Sequence, residues 1–97
     1  MRDLEQNILS MLALELRRFT PALKKSGYSY GAPEIEIWRE DVSSYTSEIR
    51  LTFLKDGQID DVLEFHIYRD GKPVVTISEA VDWYRAELGK LTRCVRP

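Results

Sequence analysis

The chain has very little of the chemistry from which most recognisable catalytic and metal sites are built. Its 97 residues include one cysteine, Cys94, and one histidine, His66. A single cysteine excludes an intrachain disulfide and is typical of a protein from a reducing compartment. One histidine and one distant cysteine do not make a zinc signature. We therefore expect no metal and no cofactor.

Long apolar runs are also missing. No stretch approaches the roughly 20 apolar residues that a membrane span requires. Residues 8–16 have the length of a secretory signal core, but Asp3 and Glu5 stand before them, where basic residues are needed, and Glu15 interrupts them. We expect a cytoplasmic protein with no targeting segment and no membrane partner.

What the chain does have is an ordinary globular composition, with 43% hydrophobic and 31% charged residues. A chain of this length buries roughly 60–65% of the surface that its unfolded form exposes, which is enough for a core without disulfides. We expect a single compact domain over residues 1–97, with a frayed tail at about 93–97.

The clearest local signal is a hairpin in residues 62–77, turning at Asp70 and Gly71. A two-residue loop would set Arg69 opposite Lys72, whereas a three-residue loop would set Phe65 opposite Val75. Since slippage by one residue turns every side chain to the other face, apolar matching favours the three-residue loop. One face then carries Leu63, Phe65, Ile67, Pro73, Val75 and Ile77, and the other carries Glu64, His66, Tyr68, Lys72, Val74 and Thr76.

Two helical patterns flank the strands. Apolar residues recur at helical spacing over residues 3–19, and Pro21 should end or kink that helix and open a second short one to Ser26. Residues 28–33 are expected to form a loop, and residues 34–39 and 47–54 alternate like strands. The last helix begins near a capping box of Thr76 and Glu79, with Ser78 an alternative cap.

This order predicts an α+β fold: a two-layer α/β sandwich in which a four-stranded antiparallel meander carries the N- and C-terminal helices on one face (α-β-β-β-β-α). Each helix has one apolar stripe and the sheet has one apolar face, so both helices should cover the same side. The second face of the sheet is then open to solvent. Residues 31–70 carry a net charge of −6, which favours a basic partner over a phosphate backbone.

Three smaller patterns have structural interpretations. Glu64, His66 and Tyr68 share a strand face, but neighbours two apart on a strand stand too far apart for an assured hydrogen bond. The acidic turn over residues 56–61 lacks the spacing of a calcium loop. Glu15, at the border of the first apolar stripe, is expected at the rim of the core and paired with Arg18.

The leading functional hypothesis is a small, non-enzymatic interaction module, such as a regulator, an inhibitor or an adaptor. It would bind a partner protein, or a second copy as a homodimer, through the open sheet face, because exposed aromatic residues are typical interface anchors. Trp83 is expected to be partly exposed, either as a second anchor or at the edge of the core. The expected binding residues are Trp38, Arg50, His66, Tyr68 and Val74.

Two alternatives stay open. Arg17, Arg18 and Arg93 lie toward the ends of the helices and could contact nucleic acid, although the acidic sheet opposes this. A small enzyme could instead use His66 as an acid or base, which would require an enclosed pocket beside the ring.

Overall fold

The computed structural model describes residues 3–92, and the predicted frayed tail at 93–97 lies outside this range. Helix α1 (Asp3–Lys25) is followed by strands β1 (Tyr28–Tyr30) and β2 (Glu34–Trp38) and a 3-10 turn (Val42–Ser44). Strands β3 (Thr46–Lys55), β4 (Gln58–Arg69) and β5 (Lys72–Pro73) follow, and helix α2 (Ile77–Thr92) ends the described part.

The sheet is antiparallel and is built around the long hairpin of β3 and β4. β5 pairs with the far end of β4, while β1 and β2 lie end to end along the other side of β3. Residues 31–33 separate β1 from β2. The predicted α+β two-layer fold is confirmed, with one strand more than expected.

The core lies between one face of the sheet and the two helices, which pack against each other. Its buried members come from both helices, from Tyr28 of β1 and from the inward side of β3 and β4. They include Ile8, Leu12 and Leu16 of α1, Ile49, Leu51 and Phe53 of β3, Leu63 and Ile67 of β4, and Tyr84 and Leu88 of α2. Burial of this apolar surface is the main force that holds the two layers together.

Pro21 does not end α1, and the predicted second helix is wrong as a separate element. Leu23, two residues beyond the proline, is fully buried in the core and holds the last turn in place. The hydroxyl of Thr20 donates to the carbonyl of Leu16 at 2.6 Å. Packing therefore outweighs the hydrogen bond that proline removes. Gly27, at a φ of +86°, ends the helix as predicted.

The predicted loop at residues 28–33 is wrong over its first half, which forms β1. Tyr28 and Tyr30 place their rings edge-on to Phe53, with centroids 6.2 and 6.0 Å apart. These aromatic contacts draw the segment onto β3, although its sequence is rich in turn residues.

The predicted hairpin register is also wrong. Arg69 lies opposite Lys72, so the loop has two residues, Asp70 and Gly71, with φ angles of +52° and +79°. Two consecutive residues with positive φ form a type I′ turn, and the twist of this turn matches the right-handed twist of the two strands that it joins. The preceding loop packs on this turn, since the N–H of Gly71 donates to the carbonyl of Tyr45 at 2.7 Å. Apolar matching misled the prediction because β5 is only two residues long and Ile77 belongs to α2.

The capping box that opens α2 is confirmed. The backbone N–H of Thr76 donates to the Glu79 carboxylate at 3.0 Å, and the N–H of Glu79 donates to the Thr76 hydroxyl at 3.2 Å. The bond from Thr76 lowers the pKa of Glu79. This cap fixes where α2 begins.

Candidate interaction face

The side of the sheet that faces away from the helices, here named the open face, is built from cross-strand rows on β2, β3 and β4. Strand register and alternation define these rows. In order along the sheet they are Trp38 with Thr46; Glu36 with Glu48 and His66; Glu34 with Arg50 and Glu64; Thr52 with Val62; and Leu54 with Ile59.

Arg50 lies at the centre of the open face and contacts a carboxylate on each of three strands. Its Nη1 atom lies 2.5 Å from Glu36 Oε1 and its Nη2 atom 3.3 Å from Glu48 Oε1. Its Nε atom lies 3.3 Å from Glu64 Oε1 without hydrogen-bond alignment. Since the Arg50 side chain is about one-third exposed, each pair contributes little to stability alone. Together they fix the direction of the guanidinium group.

His66 stands beside this network. Its Nε2 atom lies 3.6 Å from Glu48 Oε2, and the Glu48 side chain is only 4% exposed. At this distance the buried carboxylate lies beside the ring without a hydrogen bond to it. The imidazole itself is 43% exposed on the open face. The ring is therefore accessible to a partner from the solvent side.

The charge of the open face is negative. Four glutamates, Glu34, Glu36, Glu48 and Glu64, share it with one arginine. A face with an excess of one charge attracts partners of the opposite sign and repels a like-charged surface. The open face is therefore electrostatically suited to a basic partner.

Apolar side chains occupy the two ends of the open face. Trp38, 47% exposed, lies at one end, and Ile59 and Val62, 69% and 37% exposed, lie at the other. A charged centre between apolar ends differs from an evenly solvated surface, which carries only scattered apolar residues.

Three of the five predicted binding residues, Trp38, Arg50 and His66, lie on the open face. Tyr68 does not. The ladder shifts register between Ser47 and Glu48, and this bulge turns Tyr68 toward the helix side. There it is half-buried against the core, 5.5 Å from the ring of Tyr45.

Val74 is 49% exposed but lies beyond β5, where its N–H donates to the carbonyl of Ile67 at 2.9 Å. It is thus at the border of the sheet and apart from the charged centre.

The sequence prediction missed Glu48, Ile59 and Val62. The Asp56 and Gly57 pair, a second Asp-Gly turn signal, could have placed Ile59 opposite Leu54.

Trp83 packs at the edge of the core on the helix side. Its ring lies 4.8 Å from Phe65 and 5.1 Å from Tyr84, and it is partly exposed as predicted. Trp83 therefore shares the helix side with the core and is separated from the open face by the sheet.

Glu15 joins the two helices. It is 3% exposed and accepts from Arg85 Nε at 2.9 Å, with Arg85 Nη2 at 2.8 Å and the predicted partner, Arg18, at 3.6 Å. The hydrogen bond to Glu15 and its charge raise the pKa of Arg85. This carboxylate is more deeply buried than the rim position predicted, because α2 lies over it.

A cleft of about 230 Å³ opens between the end of α1 and β1. It is lined by Thr20, Leu23, Lys24, Tyr28, Ser29 and Tyr30. His66 is not among these residues. In residues 3–92, no group of three or more histidine, cysteine, aspartate or glutamate side chains is arranged so that it could hold a metal ion.

Neither helix within residues 3–92 has both the length and the apolar content of a membrane-crossing segment. Comparisons of the chain with protein-family models, with curated proteins and with solved structures found no match.

Proposed function

We propose that this protein is a small, non-enzymatic interaction module that binds a partner protein with a basic surface through the open face. The observation that carries the proposal is the composition of the open face, which has an acidic centre organised around Arg50 between exposed apolar ends. With one cysteine in the chain, we place this activity in the reducing cytoplasm.

Trp38 is the proposed anchor. Tryptophan buries a large area at a small cost in side-chain entropy, and such residues dominate the binding energy of many interfaces. The two solvent-accessible carboxylates beside Arg50, those of Glu36 and Glu64, would contribute mainly to the rate of encounter and to the choice of partner, because exposed charges act at a distance. The glutamates are already held in place by Arg50, so less ordering is needed on binding.

A heterologous partner suits the open face better than a second copy of this chain. A two-fold dimer formed by stacking open faces brings identical patches together. The glutamates of one copy would then face those of the other, which opposes association. A partner carrying lysine or arginine avoids this repulsion.

The test is affinity capture from the protein's native cells with matched variants as bait. Trp38→Ala removes the proposed anchor, and Leu14→Ala removes a similarly exposed apolar side chain from α1, away from the open face. We expect a partner that the wild-type protein and Leu14→Ala retain, that Trp38→Ala loses, and that salt weakens. Equal capture by both variants would contradict the proposal, as would loss with Leu14→Ala alone.

A further inference from the structure

In the described part of the chain, the outer edge of β4 has no neighbouring strand over most of its length. β4 has 12 residues, but β5 has two and pairs only with Tyr68 and Arg69. One more bond follows, from the N–H of Val74 to the carbonyl of Ile67. Within residues 3–92, no strand pairs with residues 58–66 on this side. We name residues 61–66 the free edge.

The direction of the backbone groups on the free edge follows from the ladder. The carbonyl of Thr52 accepts from Gly31 at 3.4 Å, so Thr52 directs its backbone groups away from β4. Its partner Val62 therefore directs its own groups away from β3. By alternation, Glu64 and His66 do the same. The N–H of Val62 donates to the carboxylate of the neighbouring Asp61 at 2.9 Å, as expected for a group that has no partner on β3.

Side chains along the free edge offer contacts on both faces of the sheet. On the helix side, Phe65 is half-buried and packs on Trp83 and Tyr84, with centroids 4.8 and 5.6 Å away. On the open face, Val62 and Glu64 are exposed. The ladder shifts register at both ends of the segment, which leaves a regular stretch of about 20 Å between the bulges.

We propose that the free edge binds an extended segment of the partner protein, which pairs with β4 as an additional strand. The segment would alternate apolar residues, lying beside Phe65 over Trp83, with lysine or arginine, lying beside Glu64. This binding mode rests on the proposed function and specifies how a basic partner engages the protein. Main-chain hydrogen bonds provide the affinity, and Glu64 selects for positive charge.

A second copy of β4 fits this edge less well. A two-fold axis at Glu64 sets the two Glu64 carboxylates opposite each other, which is destabilising. A two-fold axis at Val62 sets Asp61 opposite Leu63 of the second copy, and an axis at Leu63 sets Asp61 opposite Phe65. Neither arrangement gives the Asp61 carboxylate a partner of opposite charge. An axis at Phe65 leaves only a few paired residues on each strand, because β5 then occupies the edge. Charge complementarity therefore favours a basic segment over self-pairing.

The test uses a labelled, capped peptide of about eight residues that alternates valine and lysine. A control peptide carries the same residues in two blocks. Two variants form a matched pair, Glu64→Pro and Glu64→Thr. Both lose the carboxylate, but only proline also loses the outward N–H, and the bonds from β4 to β3 are unaffected. Fluorescence anisotropy measures the dissociation constants, and circular dichroism checks the fold.

We expect the wild-type protein to bind the alternating peptide more tightly than the block peptide. Glu64→Thr should bind it a few-fold more weakly, and Glu64→Pro at least about tenfold more weakly than Glu64→Thr. Hydrogen exchange of the wild-type protein provides a second measurement that does not depend on any variant. The peptide should slow exchange at the amides of Glu64 and His66, and leave the amide of Phe65 unchanged.

Three results would overturn the proposal: no preference for the alternating peptide, equal binding by the two variants, or no added protection at Glu64 and His66. Sedimentation of the free protein as a dimer that Glu64→Pro dissociates would overturn it too, because a second copy would then hold the edge. The open face is tested separately. If Trp38→Ala abolishes partner capture while Glu64→Pro and Glu64→Thr capture equally, the proposed function stands and this binding mode fails.

Discussion

The hydroxyl group of Tyr84 provides a direct test of the core. The side chain is 1% exposed, and its oxygen has no hydrogen-bond partner among residues 3–92. A hydroxyl buried without a partner costs about 1–3 kcal/mol. The change Tyr84→Phe removes the oxygen and keeps the ring with its contacts to Phe65 and Trp83. We expect the free energy of unfolding to rise by about 1 kcal/mol, which corresponds to about 4–8 °C in Tm.

Urea denaturation followed by circular dichroism measures this change, with Tyr30→Phe as the control. The Tyr30 hydroxyl lies 2.8 Å from the Thr20 hydroxyl, so its removal breaks a hydrogen bond. Tyr30→Phe should lower the free energy of unfolding by about 0.5–1.5 kcal/mol. If Tyr84→Phe is destabilising to the same degree, the Tyr84 hydroxyl has a partner and the reasoning is refuted.

The same substitution has a pH signature. Burial raises the pKa of Tyr84 above its ordinary value of 10.0, because the charged phenolate is disfavoured inside the core. The unfolded state therefore releases this proton at a lower pH than the folded state. The stability that depends on the neutral phenol is complete below pH 10.0 and is lost as the pH rises above it. We therefore expect the difference in free energy of unfolding between Tyr84→Phe and the wild type to grow above pH 10.0. A difference that stays constant across pH 9 to 11 (roughly one unit either side of the unfolded pKa) would contradict this.

Three further expectations concern the turns, the cap and the free edge. Gly71→Ala should destabilise more than Gly57→Ala, because both glycines have a positive φ but only at Gly71 would a Cβ lie 3.1 Å from carbonyl oxygens; equal losses in urea melts would contradict this. Thr76→Ala should lower the free energy of unfolding by about 1 kcal/mol through loss of the cap, and an unchanged urea midpoint would argue against it. In the free protein, the amide of Glu64 should exchange with solvent faster than that of Phe65, as read by NMR, and the reverse order would place the free edge on the wrong residues.

Alternation in the sequence was sufficient to predict the layers of the fold and much of the open face. Ile49, Leu51 and Phe53 lie inside, and Arg50 lies outside, as the period of two requires. The capping box at Thr76 was readable because its two hydrogen bonds are local. These features are determined by residues that are close in the sequence, so a pattern of neighbouring residues is enough to predict them.

The misplaced features depend on distant contacts. Helix α1 continues past Pro21 because Leu23 is buried in a core to which the sheet and α2 contribute. Tyr68 turns inward because a bulge, which alternation does not reveal, shifts the ladder by one residue. The turn at Gly71 is fixed partly by the N–H contact with Tyr45, 26 positions earlier in the chain. Such contacts override local preferences and were invisible to pattern analysis.

The packing of α1 against α2 has a consequence for biosynthesis. Helix α1 is synthesised before α2, and its buried surface is completed by α2 residues such as Tyr84 and Leu88. A nascent chain that stops at β5 leaves exposed the apolar surface of α1 and of the sheet that α2 later covers, and exposed apolar surface of this kind attracts chaperones. The core can therefore pack cooperatively only after α2 has been translated.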